Sequence, residues 1–192
     1  MKKIVLFALL SGLFVCSIAF AQKKKTTKTQ VPAADSSSTA AKDTLLPYQK
    51  NPKFPSFKML LMDSTTTFNT STLADGRPIM LFYFGAECDH CFRALEKLLP
   101  GFDSLSNVQI VMATFSNPTP IRAFYERFHL DKYKNITIGK DNDFFLGPFY
   151  GARAVPCVVM YDKHKKLVRK WEDATSIHEL TTTELYKASI SK

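Results

Sequence analysis

What this 192-residue chain lacks narrows its reading first. It holds four cysteines but only one close pair, Cys88 and Cys91, and no second Cys-x-x-Cys or Cys-x-x-His follows. A structural Zn²⁺ wants four ligands, usually as two close pairs, so no metal is expected. Cys157, His90, His129, His164 and His178 would have to complete a site by folding accident. No internal repeat is visible. The single tryptophan, Trp171, and the 16 phenylalanines fall at strand and helix spacing. They read as core or rim packing and give no stacking pattern, so nucleic acid is not an expected partner.

Acidic residues are also scarce near the start, and the net charge of +9 is unevenly spread. Met1-Lys2-Lys3, an apolar run over residues 4–20 and the small residues of Ala19-Phe20-Ala21 read as a signal peptide spanning residues 1–21. A retained membrane anchor is the alternative, but the run is short and broken by Ser11, Gly12, Cys16 and Ser17. Val15 stands where a lipoprotein signal wants a very small residue before Cys16. Export to the periplasm or cell envelope follows, with membrane contact only through export or a retained anchor. Residues 22–50 carry six lysines against Asp35 and Asp43, and have no apolar periodicity. Such a stretch buries too little to offset its ordering entropy and is expected to be a flexible polar tether. Without residues 1–50 the charge falls to +3, so the basic excess is a property of the leader and tether.

Residues 51–192 suffice for one domain with a real core. Residues 57–62 and 67–73 read as a hairpin around Asp63-Ser64, and Asp75-Gly76-Arg77-Pro78 as a turn. Residues 79–85 form a continuous apolar strand of the kind buried on both faces, and residues 108–115 a second. The spacing predicts a helix over residues 88–105, interrupted at Pro100-Gly101, and an amphipathic helix over 118–130. A short strand at 135–138, a short helix at 143–150 ending on Gly151, a hairpin of 155–162 with 166–172 and a closing helix over 177–190 complete the pattern. Alternating strands and helices imply an α/β fold.

Phe84-Gly85-Ala86-Glu87-Cys88-Asp89-His90-Cys91, then Tyr150-Gly151-Ala152-Arg153-Ala154-Val155-Pro156 about 65 residues on, and then Val158-Val159-Met160-Tyr161-Asp162 resemble a thioredoxin-fold protein. The leading hairpin, residues 54–57 and the extra helix at 118–130 resemble the exported TlpA/ResA-like thiol-disulfide oxidoreductases. The resemblance implies a thioredoxin-like fold: a central mixed sheet flanked by helices, with an N-terminal β-hairpin extension and an inserted helix.

The chemistry follows from the strand-to-helix handover. Cys88 at a helix N-terminus meets free backbone N–H groups and the positive end of the dipole, which favour a thiolate, and it is read as the attacking thiol. Cys91, one turn further in, would resolve the mixed disulfide. His90 is expected to donate toward the Cys88 sulfur and favour the thiolate, while Asp89 and Glu87 oppose it as neighbouring carboxylates. A three-residue spacing closes too small a loop to restrain the unfolded chain, so exchange is favoured over stapling. The cofactor is then the Cys88–Cys91 disulfide itself. The partners are protein thiol or disulfide clients and an upstream thiol-disulfide electron donor or acceptor.

The resemblance also implies that Val155-Pro156 is cis and lines the groove for an extended substrate. Three departures stand out. Glu87 replaces an aromatic residue before the first Cys, Phe82 replaces a buried Asp, and Ala94 replaces a Glu after the second Cys. The usual proton acceptors for Cys91 are thus missing, and Glu96 reads as a solvated partner of Lys97 or Arg93. Cys157 stands where the family usually has Thr. It reads as a small buried residue, with a three-thiol Cu(I) site, hence a metallochaperone or metal-binding module, as the alternative. A peroxidase is disfavoured because Gly85 stands where that chemistry places Thr.

Overall fold

The structure is a computed structural model and describes residues 45–191. The expected signal peptide, Cys16 and most of the expected tether lie outside those residues. Two six-residue strands set the architecture, β3 (Ile79–Phe84) and β4 (Gln109–Thr114), both buried at every position. They pair in parallel, with Ile79 opposite Gln109 and Phe84 opposite Thr114. Apolar side chains on both faces require layers above and below, which the helices supply.

Around this pair run β1 (Lys58–Leu61), β2 (Thr67–Asn69), β5 (Ile136–Lys140), β6 (Cys157–Tyr161) and β7 (Leu167–Trp171). The seven strands lie in the order β2-β1-β5-β4-β3-β6-β7, with β3, β4 and β5 parallel to one another and the others antiparallel to their neighbours. Strand alternation sorts the side chains between two cores. Met80, Phe82, Phe84, Val158 and Met160 face one core with α2 (Asp89–Leu98), α3 (Pro118–Arg127) and α6 (Thr182–Ser189). Ile79, Leu81, Tyr83, Cys157, Val159 and Tyr161 face the other, with α4 (Leu146–Tyr150).

The expected interruption of the 88–105 helix is present: α2 ends at Leu98 and continues as a tighter 3₁₀ segment over Leu99–Leu105, because Pro100 has no N–H to continue the α pattern. Two other elements differ from the sequence expectation. The closing helix is two helices, α5 (Ala174–Glu179) and α6. Leu180 between them is extended, and Thr181 caps α6 in a capping box with Glu184. The described chain also takes up structure before residue 51. Pro47–Lys50 form one helical turn, α1, with the Tyr48 ring 5.6 Å from that of Tyr150. Apolar Leu46 and Tyr48 supply what the lysine-rich residues before them lack, a surface that packs on α4: a Cβ on Gly151 would meet Leu46 at 2.5 Å. Among the described residues no helix is long and apolar enough to cross a membrane.

Candidate active site

β3 ends at Phe84 and α2 begins at Asp89, so Cys88 is the N-cap of α2, with its carbonyl accepting from Phe92 N–H at 3.0 Å. Gly85, in the connection, lets three groups close in. A Cβ there would lie 3.2 Å from Cys88 Cβ, 3.4 Å from Phe115 Cζ and 3.7 Å from Val155 Cγ2. Ala86 N–H donates to Ser116 Oγ at 2.9 Å, which ties this connection to the one after β4.

The two thiols occupy unlike surroundings. Cys88 is half-buried, and its thiol donates to Val155 O at 3.8 Å. Cys91 is fully buried, with Gly85 N–H 3.5 Å from its sulfur. Burial pushes the Cys91 thiol well above its ordinary range, and the neighbouring Cys88 pushes it the same way. Among the described residues, the groups that shift Cys91 are Cys88 and backbone N–H groups, with no carboxylate among them. Phe82 and Ala94 are buried apolar groups in the core beside it. Glu96 is exposed and pairs with Arg127 at 3.3 Å, so neither Lys97 nor Arg93 is its partner.

The Val155-Pro156 peptide bond is cis, and the Val155 carbonyl faces Cys88. Glu87, Asp89 and His90 are exposed. His90 Nδ1 lies 3.0 Å from the Arg93 guanidinium, so the expected donor to the Cys88 sulfur is turned toward its own helix.

Cys157 is not brought to the pair. It is fully buried beside Tyr83 on the sheet face opposite Cys91, and burial pushes its thiol up to about 12. The three-thiol arrangement is therefore corrected: odd and even positions of β6 face different cores, and Cys157 shares its side with Tyr161. Among the described residues, no group of three or more His, Cys, Asp or Glu side chains could hold a metal ion.

A cleft of about 610 Å³ opens between α2, residues 154–156 and α5; neither thiol lines it, and it adjoins Cys88 through Val155. Its walls include Arg93, Lys97, Glu172 and His178, none of which the sequence pattern singles out as a site residue. Glu172 accepts the Arg153 N–H at 2.7 Å and faces Lys170 Nζ at 2.5 Å, bracing the segment that leads into Val155. Phe115, read from the sequence as the last residue of a buried strand, instead lies just past the end of β4 and is 40 % exposed. The one signal of that exposure is its place directly before the polar turn Ser116-Asn117.

No protein-family model matches the chain, and no curated protein matches it in sequence. Solved structures do match in fold. A secreted Mycobacterium tuberculosis disulfide oxidoreductase homologous to E. coli DsbE is 18 % identical with a TM-score of 0.56, over 69 % of this chain and 92 % of that one. M. tuberculosis DsbF, seen in mixed oxidised and reduced forms, is 21 % identical with a TM-score of 0.52, over 69 % and 95 %. The thioredoxin domain of a Bacteroides vulgatus thiol-disulfide oxidoreductase is 16 % identical with a TM-score of 0.54, over 70 % and 91 %. The chain has the thioredoxin-like fold, with a Cys-x-x-Cys pair at the start of α2, and its structural neighbours are thioredoxin-like thiol-disulfide oxidoreductases.

Proposed function

We propose that the protein is an exported thiol-disulfide oxidoreductase of the TlpA/ResA-like kind that reduces or relays disulfides of envelope proteins, with Cys88 attacking and Cys91 resolving. The observation that carries this reading is the asymmetry of the pair: a half-exposed thiol against the Val155 carbonyl and a fully buried one a turn behind it. The Cys88 thiolate attacks one sulfur of a client disulfide, forming a mixed disulfide and expelling the other client sulfur as a thiolate that takes up a proton. Cys91, having lost its own proton, then attacks Cys88 sulfur, releases the second client thiol and leaves the Cys88–Cys91 disulfide. Two electrons pass to the client, and an upstream dithiol returns the pair to its reduced state.

The hairpin β1–β2 and the inserted α3 support the TlpA/ResA-like assignment. The leader-like residues 1–21, and the secretion of the M. tuberculosis neighbour, support export. The decisive experiment is trapping with Cys91→Ser in the envelope. A mixed disulfide through Cys88 is the expected product; no trapped client and no disulfide exchange by the purified protein would refute the reading. The reduction potential of the pair, set between about −270 mV for thioredoxin and about −120 mV for DsbA, then gives the direction of electron flow.

A further inference from the structure

The cleft lined by Val155-Pro156 carries an unbalanced charge. His90, Arg93 and Lys97 of α2 stand at spacings of three and four residues, which places them along one helix face, and all three line the cleft. Across from them lies His178 of α5, whose carbonyl accepts from Lys97 Nζ. Glu172, the one carboxylate in the wall, is already engaged by Lys170 at 2.5 Å and by Arg153 N–H at 2.7 Å. The Arg93 guanidinium lies 3.0 Å from His90 Nδ1, on the same helix. Neither Arg93 nor Lys97 has a carboxylate partner among the described residues. Glu87 and Asp89 do not line the cleft.

Between these side chains the floor is small and apolar, made by Ala94, Val155 and Pro156. A volume of about 610 Å³ holds a few residues of polypeptide, and Val155, one of the residues in its wall, accepts from the Cys88 thiol through its carbonyl. Two cations without a carboxylate partner among the described residues, beside an apolar floor, favour a segment that brings a carboxylate with it.

We propose that this cleft selects client polypeptides bearing Asp or Glu next to the reactive cysteine, with Arg93 and Lys97 as the specificity-determining residues. The inference rests on the redox function proposed above. A client with Lys or Arg in the same position meets like charge and is disfavoured.

The test uses the reduced protein and disulfide-linked synthetic peptides whose cysteine is flanked on either side by Asp, Asn or Lys, with neutral hydroxyethyl disulfide as reference. The second-order rate constant with the Asp peptide is expected to exceed that with the Lys peptide by about tenfold at low salt, and the ratio to shrink in 0.5 M salt, where the Debye length is roughly 4 Å. Arg93→Gln with Lys97→Gln should bring the ratio near unity, and Arg93→Glu with Lys97→Glu should invert it. Lys187→Gln, on the exposed face of α6, should leave it unchanged. Equal rates for the three peptides, or a ratio insensitive to the double variants, would overturn the proposal while hydroxyethyl disulfide is still reduced. No reduction of hydroxyethyl disulfide would overturn the redox function itself and this proposal with it.

Discussion

The hydroxyls of Tyr150 and Tyr161 meet at 2.6 Å, fully buried, on the sheet face away from Cys91. Each is the other's partner, so removing one strands the second without water to replace it. Tyr150→Phe and Tyr161→Phe are each expected to cost about 1–3 kcal/mol in urea denaturation. The double variant should cost less than the sum of the two. Strict additivity would show that the hydroxyls do not depend on each other.

Buried acids make the domain sensitive to alkali. Burial, with the charges of Asp141 and Cys157 adding to it, pushes Tyr83 up to about 12, and burial pushes Cys157 up to about 12. It drives Tyr150, Tyr161 and Cys91 upward as well. In the unfolded chain these groups lose their protons at about pH 8.5–10. Above that range the unfolded state binds fewer protons than the native one, so stability falls as pH rises. Stability present below about pH 8.5 should therefore decline between about pH 9 and 12, by up to roughly 1.4 kcal/mol per pH unit for each such group. Urea midpoints measured across this range check it. Full tyrosinate absorbance by pH 10.5 with the fold intact would contradict it.

Accessibility separates the three thiols of the described domain. Brief iodoacetamide treatment of the reduced native protein should modify Cys88 and leave Cys91 and Cys157, both fully buried, untouched until urea is added. Peptide mass spectrometry reads the sites directly. With Cys157 on the far side of the sheet, Cys157→Ser should leave any Cu(I) binding by the reduced protein unchanged in amount and affinity. A drop in affinity in that variant would restore the three-thiol idea.

Two glycines should respond oppositely to a methyl group. A Cβ on Gly139 would lie 2.8 Å from the Leu60 carbonyl oxygen, a backbone atom of the paired strand that has little room to yield. Gly139→Ala is expected to cost about 1–3 kcal/mol, and to loosen β1 from β5 before the rest of the sheet unfolds. Gly147, inside α4, has only Tyr83 Oη within reach, at 3.9 Å. Gly147→Ala should gain up to about 1 kcal/mol from helix propensity. Thermal melting of the two variants, with amide exchange of β1 in the first, tests both statements.

The sheet's centre and the thiol pair were legible because their signals are local. Ile79–Phe84 is an unbroken apolar run, and the cysteines sit where it hands over to a helix. The side taken by Cys157 was hidden for the same reason that β6 was obvious. Cys157–Tyr161 is apolar on both faces, so no alternation of polarity tells which residues share a side, and only pairing of Cys157 with Tyr83 settles it. The break between α5 and α6 lay inside an amphipathic pattern, although Thr181 and Glu184 have the spacing of a capping box. The cleft draws on α2, the segment before β6 and α5, and Glu96 finds Arg127 31 residues away. Such meetings depend on packing rather than on spacing along the chain.

The β1–β2 hairpin, placed beside β5, has a bearing on solubility. β5 would otherwise present its bare N–H and C=O groups as a template for strand addition by another molecule. β1 covers that margin, and the new margin is β2, three residues long and ended at once by a 3₁₀ turn that Asn69 caps. A strand that short offers little purchase for edge-to-edge growth. A chain shortened to begin after Leu73 would keep both thiols and the cleft yet expose β5, and would be expected to aggregate through it.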